Sequence, residues 1–554
     1  MALVVHPAEL LEADVVRAWA SLAVDALGAA RATLDSANVF PVPDGDTGTN
    51  MFLTLREGAH AVRAEPAGAD GARLLRLLAR GTLLGARGNS GVILSEWLRG
   101  LAAAATRREP LEVALDAAAR TARRAVARPA PGTILTAAEA AAGAARDESA
   151  RGGAERDGDL VPGGPAAYRQ GLLDAARRGA RHAALASAET LAPLREAGVL
   201  DSGAGGLLLV LHALAEAHRA VGTAGGMSEV PGSMAPVTLD IDLRPPAGGV
   251  VPAGPHDDEL ELMFVLHRPA GAGEYATGAV ADALRRDLGA VGGSVVVVGG
   301  ADPSGAALAD AEPDADTLWQ AHVHTVDLDA ALDVARRWAA RATVSHVHVR
   351  HLATRDAPGP GWGVVAATTA PGLAGELART GAVVLVGLDA PVTAEDLAVA
   401  AVGSPQPQVL VLPGPALDAG PGVAAALDAH RAGEPEDEHV VVVLDAPTDA
   451  HLVVALAALA EADQAPGGAP EALRAALDGL RVVRVGADRG AGALAALLEG
   501  SAGADVVTVL VDAGVGDVAV DAVVRAAEAA GAEALVLPTG RPGDEIEIAT
   551  EVDG

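Results

Sequence analysis

Two carboxylates two residues apart, Asp44 and Asp46, lie in the segment Asn38-Val-Phe-Pro-Val-Pro-Asp-Gly-Asp-Thr-Gly-Thr-Asn50, on a turn restricted by Pro41, Pro43, Gly45 and Gly48. Hard cations such as magnesium take oxygen ligands, commonly a few carboxylates completed by substrate phosphates. Asn38 and Asn50 can add neutral oxygens or donors beside them. A turn that holds no ligand is the commoner use of a bare Asp-Gly-Asp. A calcium loop does not fit: counting from Asp44, positions six and twelve should be Gly and Glu, and they are Thr49 and Leu55.

A second loop, Gly85-Ala-Arg-Gly-Asn-Ser-Gly91, runs into the apolar stretch Val92-Ile-Leu. Backbone N–H groups at a helix start, joined by a serine hydroxyl, can cradle an anion. The loop lacks the Gly-Lys-Ser/Thr of a P-loop, and a plain N-cap by Asn89 or Ser90 fits it as well. Gly132-Thr-Ile-Leu and Asp201-Ser-Gly-Ala-Gly-Gly206 also precede helical stretches. Each alone is more often a cap than a site. Four such loops on one helical scaffold point to a shared site.

The scaffold that must position them is residues 1–220, where apolar residues recur at three- and four-residue spacing, as in Leu10, Leu11, Val15, Val16, Trp19 and Leu22. Residues 142–165 read as a mobile, charged insertion between helices. Residues 221–258 form a linker, because Thr223-Ala-Gly-Gly-Met and Pro245-Pro-Ala-Gly-Gly-Val-Val-Pro-Ala-Gly-Pro255 sustain neither a helix nor a central strand. Strand-like Met263-Phe-Val-Leu, Val295-Val-Val-Val and His346-Val-His-Val, with Ala-rich helices between them, predict a small α/β domain over 259–353. After the break Ala357-Pro-Gly-Pro-Gly361, Val/Leu runs of strand length alternate with helix-length stretches over 361–554. That pattern predicts mostly parallel sheets buried on both faces.

Bulk properties narrow the function classes. At ~150 residues per domain, 554 residues suggest three or four domains. Half the residues are hydrophobic and only 2% aromatic, so the cores must be closely packed Ala, Val and Leu. A net charge of −32 opposes binding to nucleic acid or an anionic membrane, both of which need a basic face. Without cysteine there are no disulfides, thiolate zinc sites or cysteine nucleophiles. The N-terminus has no basic start and carries early acids, unlike a secretory signal. No apolar run reaches the ~18 residues of a membrane span. A soluble cytoplasmic protein is expected.

The blocks Asn38–Met51, Arg87–Leu94 (Arg-Gly-Asn-Ser-Gly-Val-Ile-Leu), Gly132–Thr136 (Gly-Thr-Ile-Leu-Thr) and Gly198–Gly203 (Gly-Val-Leu-Asp-Ser-Gly) occur in this order. Together they resemble the nucleotide-binding domain of dihydroxyacetone kinases of the L type (DhaL), and more closely the catalytic subunit of bacterial fatty-acid kinase. The resemblance extends to domain order: kinase, small α/β middle domain, then an α/β domain similar to the fatty-acid-binding DegV type. It implies that residues 1–220 form an all-α helical barrel with ATP at one end. Asp44 and Asp46 would hold two magnesium ions, with Asn38 beside them as a third catalytic residue. Ser90 and Gly91 would contact phosphates, with Asn89 in the same loop. Thr47, Gly48, Thr49, Asn50 and Thr133 would line the nucleotide site, and Asp201 its rim. The acceptor would be a fatty acid presented by a separate DegV-type binding protein, and the kinase itself a homodimer.

A carboxylate acceptor is already anionic, so phosphoryl transfer to it needs charge neutralisation and positioning rather than a base. His60, the histidine nearest the Asp-Gly-Asp block in sequence, is several helical turns away. This favours an acyl-phosphate product over a sugar phosphate. Dihydroxyacetone or another small polyol is the alternative acceptor, though no separate substrate domain for it is evident. A nucleotide-binding regulator without turnover is the third reading.

His322-Val-His324 alternates on a predicted strand, putting both rings on one side. With a third ligand such a pair can hold zinc. In the resembled family an upstream cysteine completes a metal site, and here Glu261 occupies that region, with His267 a further candidate. His346 and His348, with Arg350, read as a solvated strand face. The family's Gly-Gly-Gln-Thr-Met-Asn-Pro-Ser loop is replaced here by Val386-Gly-Leu-Asp-Ala-Pro-Val-Thr393. The last domain is therefore as readily a docking or dimerisation platform as a ligand-binding one.

Overall fold

The computed structural model describes residues 10–126, 129–154, 164–223, 236–243, 258–268, 277–300, 317–353, 361–404, 406–417, 421–431, 440–461, 468–499 and 504–551. The chain divides into two compact units: Met1–Pro255 with Ala270–Arg286 and Ser294–His322, and His256–Pro269 with Asp287–Gly293 and Val323–Gly554.

Among the described residues the first unit includes the helices α1 (Ala13–Ser36), α2 (Thr47–Ala64), α3 (Gly71–Leu84), α4 (Gly88–Thr106), α5 (Leu111–Ala125), α6 (Ile134–Ala154), α7 (Gly164–Leu185), α8 (Ser187–Thr190), α9 (Ala192–Ala197) and α10 (Ser202–Thr223). Each of α1 to α6 packs on its successor, and α10 touches α1, α2, α6 and α7. An apolar helix with no polar face belongs inside a core, and Leu207 through Leu211 of α10 are all buried. With few aromatics, packing depends on small residues. A Cβ on Gly206 would lie 2.4 Å from the Met51 sulfur. Trp19 and Trp97 meet edge-to-face at 6.4 Å between centroids, and Trp19 Nε1 donates to the Val210 carbonyl at 2.9 Å.

Two expectations change here. The predicted insertion at 142–165 is helical as far as Ala154, because Ala-Gly-Ala-Ala-Arg-Asp-Glu-Ser-Ala-Arg is a sound helix sequence; residues 155–163 lie outside the described set. Within the predicted linker, residues 236–243 form neither helix nor strand, with Val237 and Leu243 buried in the helical core. The flanking stretches 224–235 and 244–257 are outside the described residues.

The strands are β1 (Leu260–Arg268), β2 (Gly293–Gly299), β3 (Thr317–Thr325), β4 (Thr343–His351), β5 (Gly363–Thr368), β6 (Val383–Val386), β7 (Gln408–Leu412), β8 (Val440–Val443), β9 (Leu480–Gly486), β10 (Val506–Val511), β11 (Glu533–Pro538) and β12 (Glu545–Glu551). In the first unit Gly300 N donates to Leu318 O at 2.7 Å, linking the end of β2 to β3, and Val296 of β2 bridges Val126 after α5.

In the second unit the main sheet runs β1-β4-β6-β5-β7-β8. β5 is parallel to β6 and β7, and β7 to β8, as continuous Val/Leu runs between helices require. β4 pairs antiparallel with both β1 and β6, so the sheet continues through the sequence break before residue 361. A second sheet has the order β11-β10-β12-β9. One guanidinium ties the two sheets: Arg541 donates to Asp449 at 2.6 Å and to Asp512 at 3.1 Å, and Asp449 accepts from Thr368 of β5 at 2.5 Å.

The β4 face read as solvated is half-buried, with the His346 side chain 36% exposed. His346 pairs with Asp396 at 2.5 Å, and burial lowers the Arg350 pKa, opposed by the Glu261 charge. The replaced loop 386–393 is tied down too, with Ala390 N on Val344 O at 3.1 Å and Thr393 in a capping box with Asp396. Among the described residues no helix is long and apolar enough to cross a membrane.

Candidate active site

Four helices begin at the four loops singled out by sequence: α2 after Asp46, α4 at Gly88, α6 at Ile134 and α10 at Ser202. Hydrogen bonds and glycine contacts link these starts. Asn38 Nδ2 donates to Asp44 at 2.5 Å and to Val42 O at 3.1 Å, while Thr47 Oγ1 donates to Asn38 Oδ1 at 2.6 Å. Ser202 Oγ, from the fourth loop, reaches the same Asn38 oxygen at 3.5 Å. Asn50 Nδ2 donates to Asp46 at 2.6 Å. A Cβ on Gly88, which has φ +53°, would lie 2.1 Å from Asn50 Nδ2, and one on Gly91 would lie 2.2 Å from Thr54 Oγ1. Only glycine lets the start of α4 lie this close to α2. Thr54 Oγ1 also accepts from Arg87 N at 3.1 Å.

The third and fourth loops meet at Asp201. Its carboxylate accepts from Ala204 N at 2.7 Å and from the Ile134 N–H, and its own N–H donates to Ser187 Oγ at 2.9 Å. Burial pushes this carboxyl up to about 7, against the two N–H groups that favour its ionised form. Asp201 is buried at the α10 start.

Asn38, Asp44, Asp46, Thr47, Asn50 and Asp201 are all buried polar groups. The Thr49 hydroxyl donates to Asp35 at 2.7 Å and accepts from Arg31 Nε at 2.9 Å. The N-cap of α4 is Arg87, which makes no side-chain cap, so Asn89 and Ser90 lie inside the first turn. Thr133 donates back to Ala130 O at 2.9 Å. Gly48 packs against α1, where a Cβ would lie 2.4 Å from Arg31 O.

Residues far away in sequence join this unit. Gln320 of β3 donates to the Ala86 carbonyl of the second loop at 2.9 Å, and Gly299 N donates to Glu96 of α4 at 3.0 Å. His322 of β3 is therefore a histidine near the Asp-Gly-Asp loop, which sequence distance had placed out of reach. Burial pushes its imidazole down to about 4, although the Asp44 charge favours protonation.

Sequence reading missed Asp35, Ser187 and Ser202. Asp35 carries one local sign, an acid near the end of a helix, where the dipole disfavours it.

Two carboxylates beside four helix starts can hold a hard cation and an anionic group together. The oxygen donors of Asp44 and Asp46 suit magnesium, and the helix N-termini suit phosphates.

Residues 41–216 match the DAK2 domain family, so the N-terminal region carries a DhaL-like domain, of a kind found in kinase-type families. The chain is 39% identical to Protein YloV of Bacillus subtilis over 182 residues, which is 32% of this chain and 30% of that protein. It is 41% identical over 182 residues to an uncharacterized protein of Staphylococcus epidermidis, again 32% of this chain and 30% of the relative. The match thus spans about a third of the length of these relatives. A solved structure described as the fatty-acid binding of a DegV family protein from Thermus thermophilus aligns with 35% of this chain and 100% of its own, at 14% identity and a TM-score of 0.24.

Proposed function

We propose that this chain is an ATP- and magnesium-dependent kinase that phosphorylates the carboxylate of a fatty acid presented by a separate binding protein, working in the cytoplasm as a homodimer. The observation that carries the reading is that Asp44 and Asp46 are tied through Asn38, Asn50 and Ser202 to the starts of α2, α4 and α10, with the α6 start joined to α10 through Asp201. In this reading the helical unit is the barrel of a DhaL-type kinase. Asp44 and Asp46 hold the magnesium ions, which supply charge neutralisation for the phosphates. Asn38 fixes Asp44 through its amide and is itself fixed by Thr47 and Ser202. Asn50 fixes Asp46. The first turn of α4, with Asn89, Ser90 and Gly91, offers N–H and hydroxyl donors to phosphate, and α2, α6 and α10 add theirs. No residue need remove a proton from an anionic carboxylate, so positioning carries the rate.

The test is ATP consumption with magnesium, wild type against Asp46→Ala, with and without a fatty-acid-loaded binding protein. Turnover that needs both the partner and Asp46 is expected. Phosphorylation of dihydroxyacetone by the chain alone would move the assignment to a polyol kinase, and ATP binding without turnover under every condition to a regulator.

Zinc is a second proposal. It rests on the alternation of His322 and His324 in the sequence, with Glu261 as a further ligand type, and an imidazole that burial keeps neutral is the form that binds zinc. Elemental analysis of the purified protein, compared with His324→Ala, checks it; equal zinc in both refutes it.

A further inference from the structure

An aspartate just before a helix normally caps it, accepting a hydrogen bond from the N–H two or three residues into the helix. This chain follows that habit at three places. Asp70 accepts from Arg73 N at 2.6 Å, Asp201 from Ala204 N at 2.7 Å and Asp327 from Ala330 N at 3.0 Å. Asp46 is the N-cap residue of α2 and departs from it. Its backbone lies at φ −130°, ψ 4°, and its side chain makes no cap bond.

The cap of α2 comes from another helix. Asp35, in the last turn of α1, accepts from Thr49 N at 2.9 Å through one oxygen and from the Thr49 hydroxyl at 2.7 Å through the other. The Gly48 N–H donates to the same carboxylate. A negative charge near the end of α1 opposes that helix's dipole but faces the positive end of α2. The contact exists because position 48 is glycine, with Arg31 O where a side chain would begin.

We infer that Asp35 is a positioning residue for the metal site: by capping α2 from α1 it keeps the Asp46 carboxylate off the Thr49 N–H and leaves it to the Asn50 side chain, in the orientation that serves a cation together with Asp44. The inference rests on the kinase reading above. Without Asp35, the Gly48 and Thr49 N–H groups lose their acceptor. The N-cap position then favours a turn of Asp46 back onto Thr49 N, as at the three other aspartates. Partners that orient metal ligands are commonly worth 10–100-fold in metal affinity.

The experiment is manganese(II) binding to the nucleotide-free full chain, by electron paramagnetic resonance, for wild type, Asp35→Ala, Asp35→Asn and Asp46→Asn, with thermal unfolding alongside. Asp35→Ala is expected to weaken manganese binding about tenfold. Asp35→Asn, whose amide oxygen still accepts from Thr49 N, is expected to stay within about threefold of wild type. If Asp35→Ala lowers the unfolding temperature but binds manganese like wild type while Asp46→Asn does not, this inference fails and the metal site stands. If Asp35→Asn is as weak as Asp35→Ala, the charge rather than the cap acts, and the inference also fails. If Asp46→Asn binds like wild type, the metal reading itself falls and takes this one with it.

Discussion

Asp201 gives the sharpest test of the site's electrostatics. Its carboxyl is buried at the junction of the third and fourth loops and titrates at about 7 instead of the ordinary 3.8. A raised folded-state pKa means that the neutral form is preferred in the fold. Stability is then unpenalised below pH 3.8 and declines as pH rises, until the penalty is complete above about 7. At about 1.4 kcal/mol per pH unit, the gap from 3.8 to 7 bounds the cost at about 4 kcal/mol, of which about 2 kcal/mol accrues between pH 5 and 7. Asp201→Asn removes the charge but keeps an oxygen for Ala204 N, and asparagine caps helices as well as aspartate does. The variant is therefore expected to gain on wild type as pH rises, by about 2 kcal/mol from pH 5 to 7. A chain of two units does not unfold in one step, so the readout is the helical transition in urea, followed by circular dichroism at 222 nm. Parallel pH profiles for the two proteins would refute the reasoning, since they would mean that Asp201 ionises in the fold as easily as in the unfolded chain.

Two further outcomes follow from packing and burial. Arg541→Met leaves Asp449, Asp512 and Glu547, each at most 3% exposed, without their shared guanidinium; a loss of about 3–5 kcal/mol is expected in the second unit's unfolding transition, and a loss under about 1 kcal/mol would mean that the carboxylates take up protons at little cost. Gly91→Ala puts a methyl 2.2 Å from Thr54 Oγ1 and should cost about 1–3 kcal/mol in thermal unfolding. Gly143→Ala, in open space on α6, should instead gain about 0.5–1 kcal/mol. Equal effects at the two glycines would show that α4 and α2 are not in close contact.

The four chemical loops were legible in the sequence because their signals are local. Carboxylates two residues apart, glycines that permit a close approach and cap residues before apolar runs are all set by neighbours along the chain. The Ala/Leu periodicity likewise fixed the helices, and unbroken Val/Leu runs between helix-length stretches fixed the parallel strands β5 and β7, since a strand buried on both faces must be apolar throughout, whereas the edge strand β8 is half-exposed. Local rules could not say what lies across space. Residues 142–154 look like a charged loop by composition, yet they keep their helix because intrinsic propensity and the packing of α6 on α5 and α7 outweigh scattered charge. His322 is hundreds of residues from Asp44, and only the placement of β3 brings the imidazole within reach of the Asp44 charge. Asp46 reads in sequence as one of two carboxylates on a turn. That Asp35 takes over the capping depends on how closely α1 approaches α2, a distance set by Gly48 and the core beneath it rather than by either segment alone. Sequence determined which groups could do chemistry, and tertiary packing decided what each of them faces.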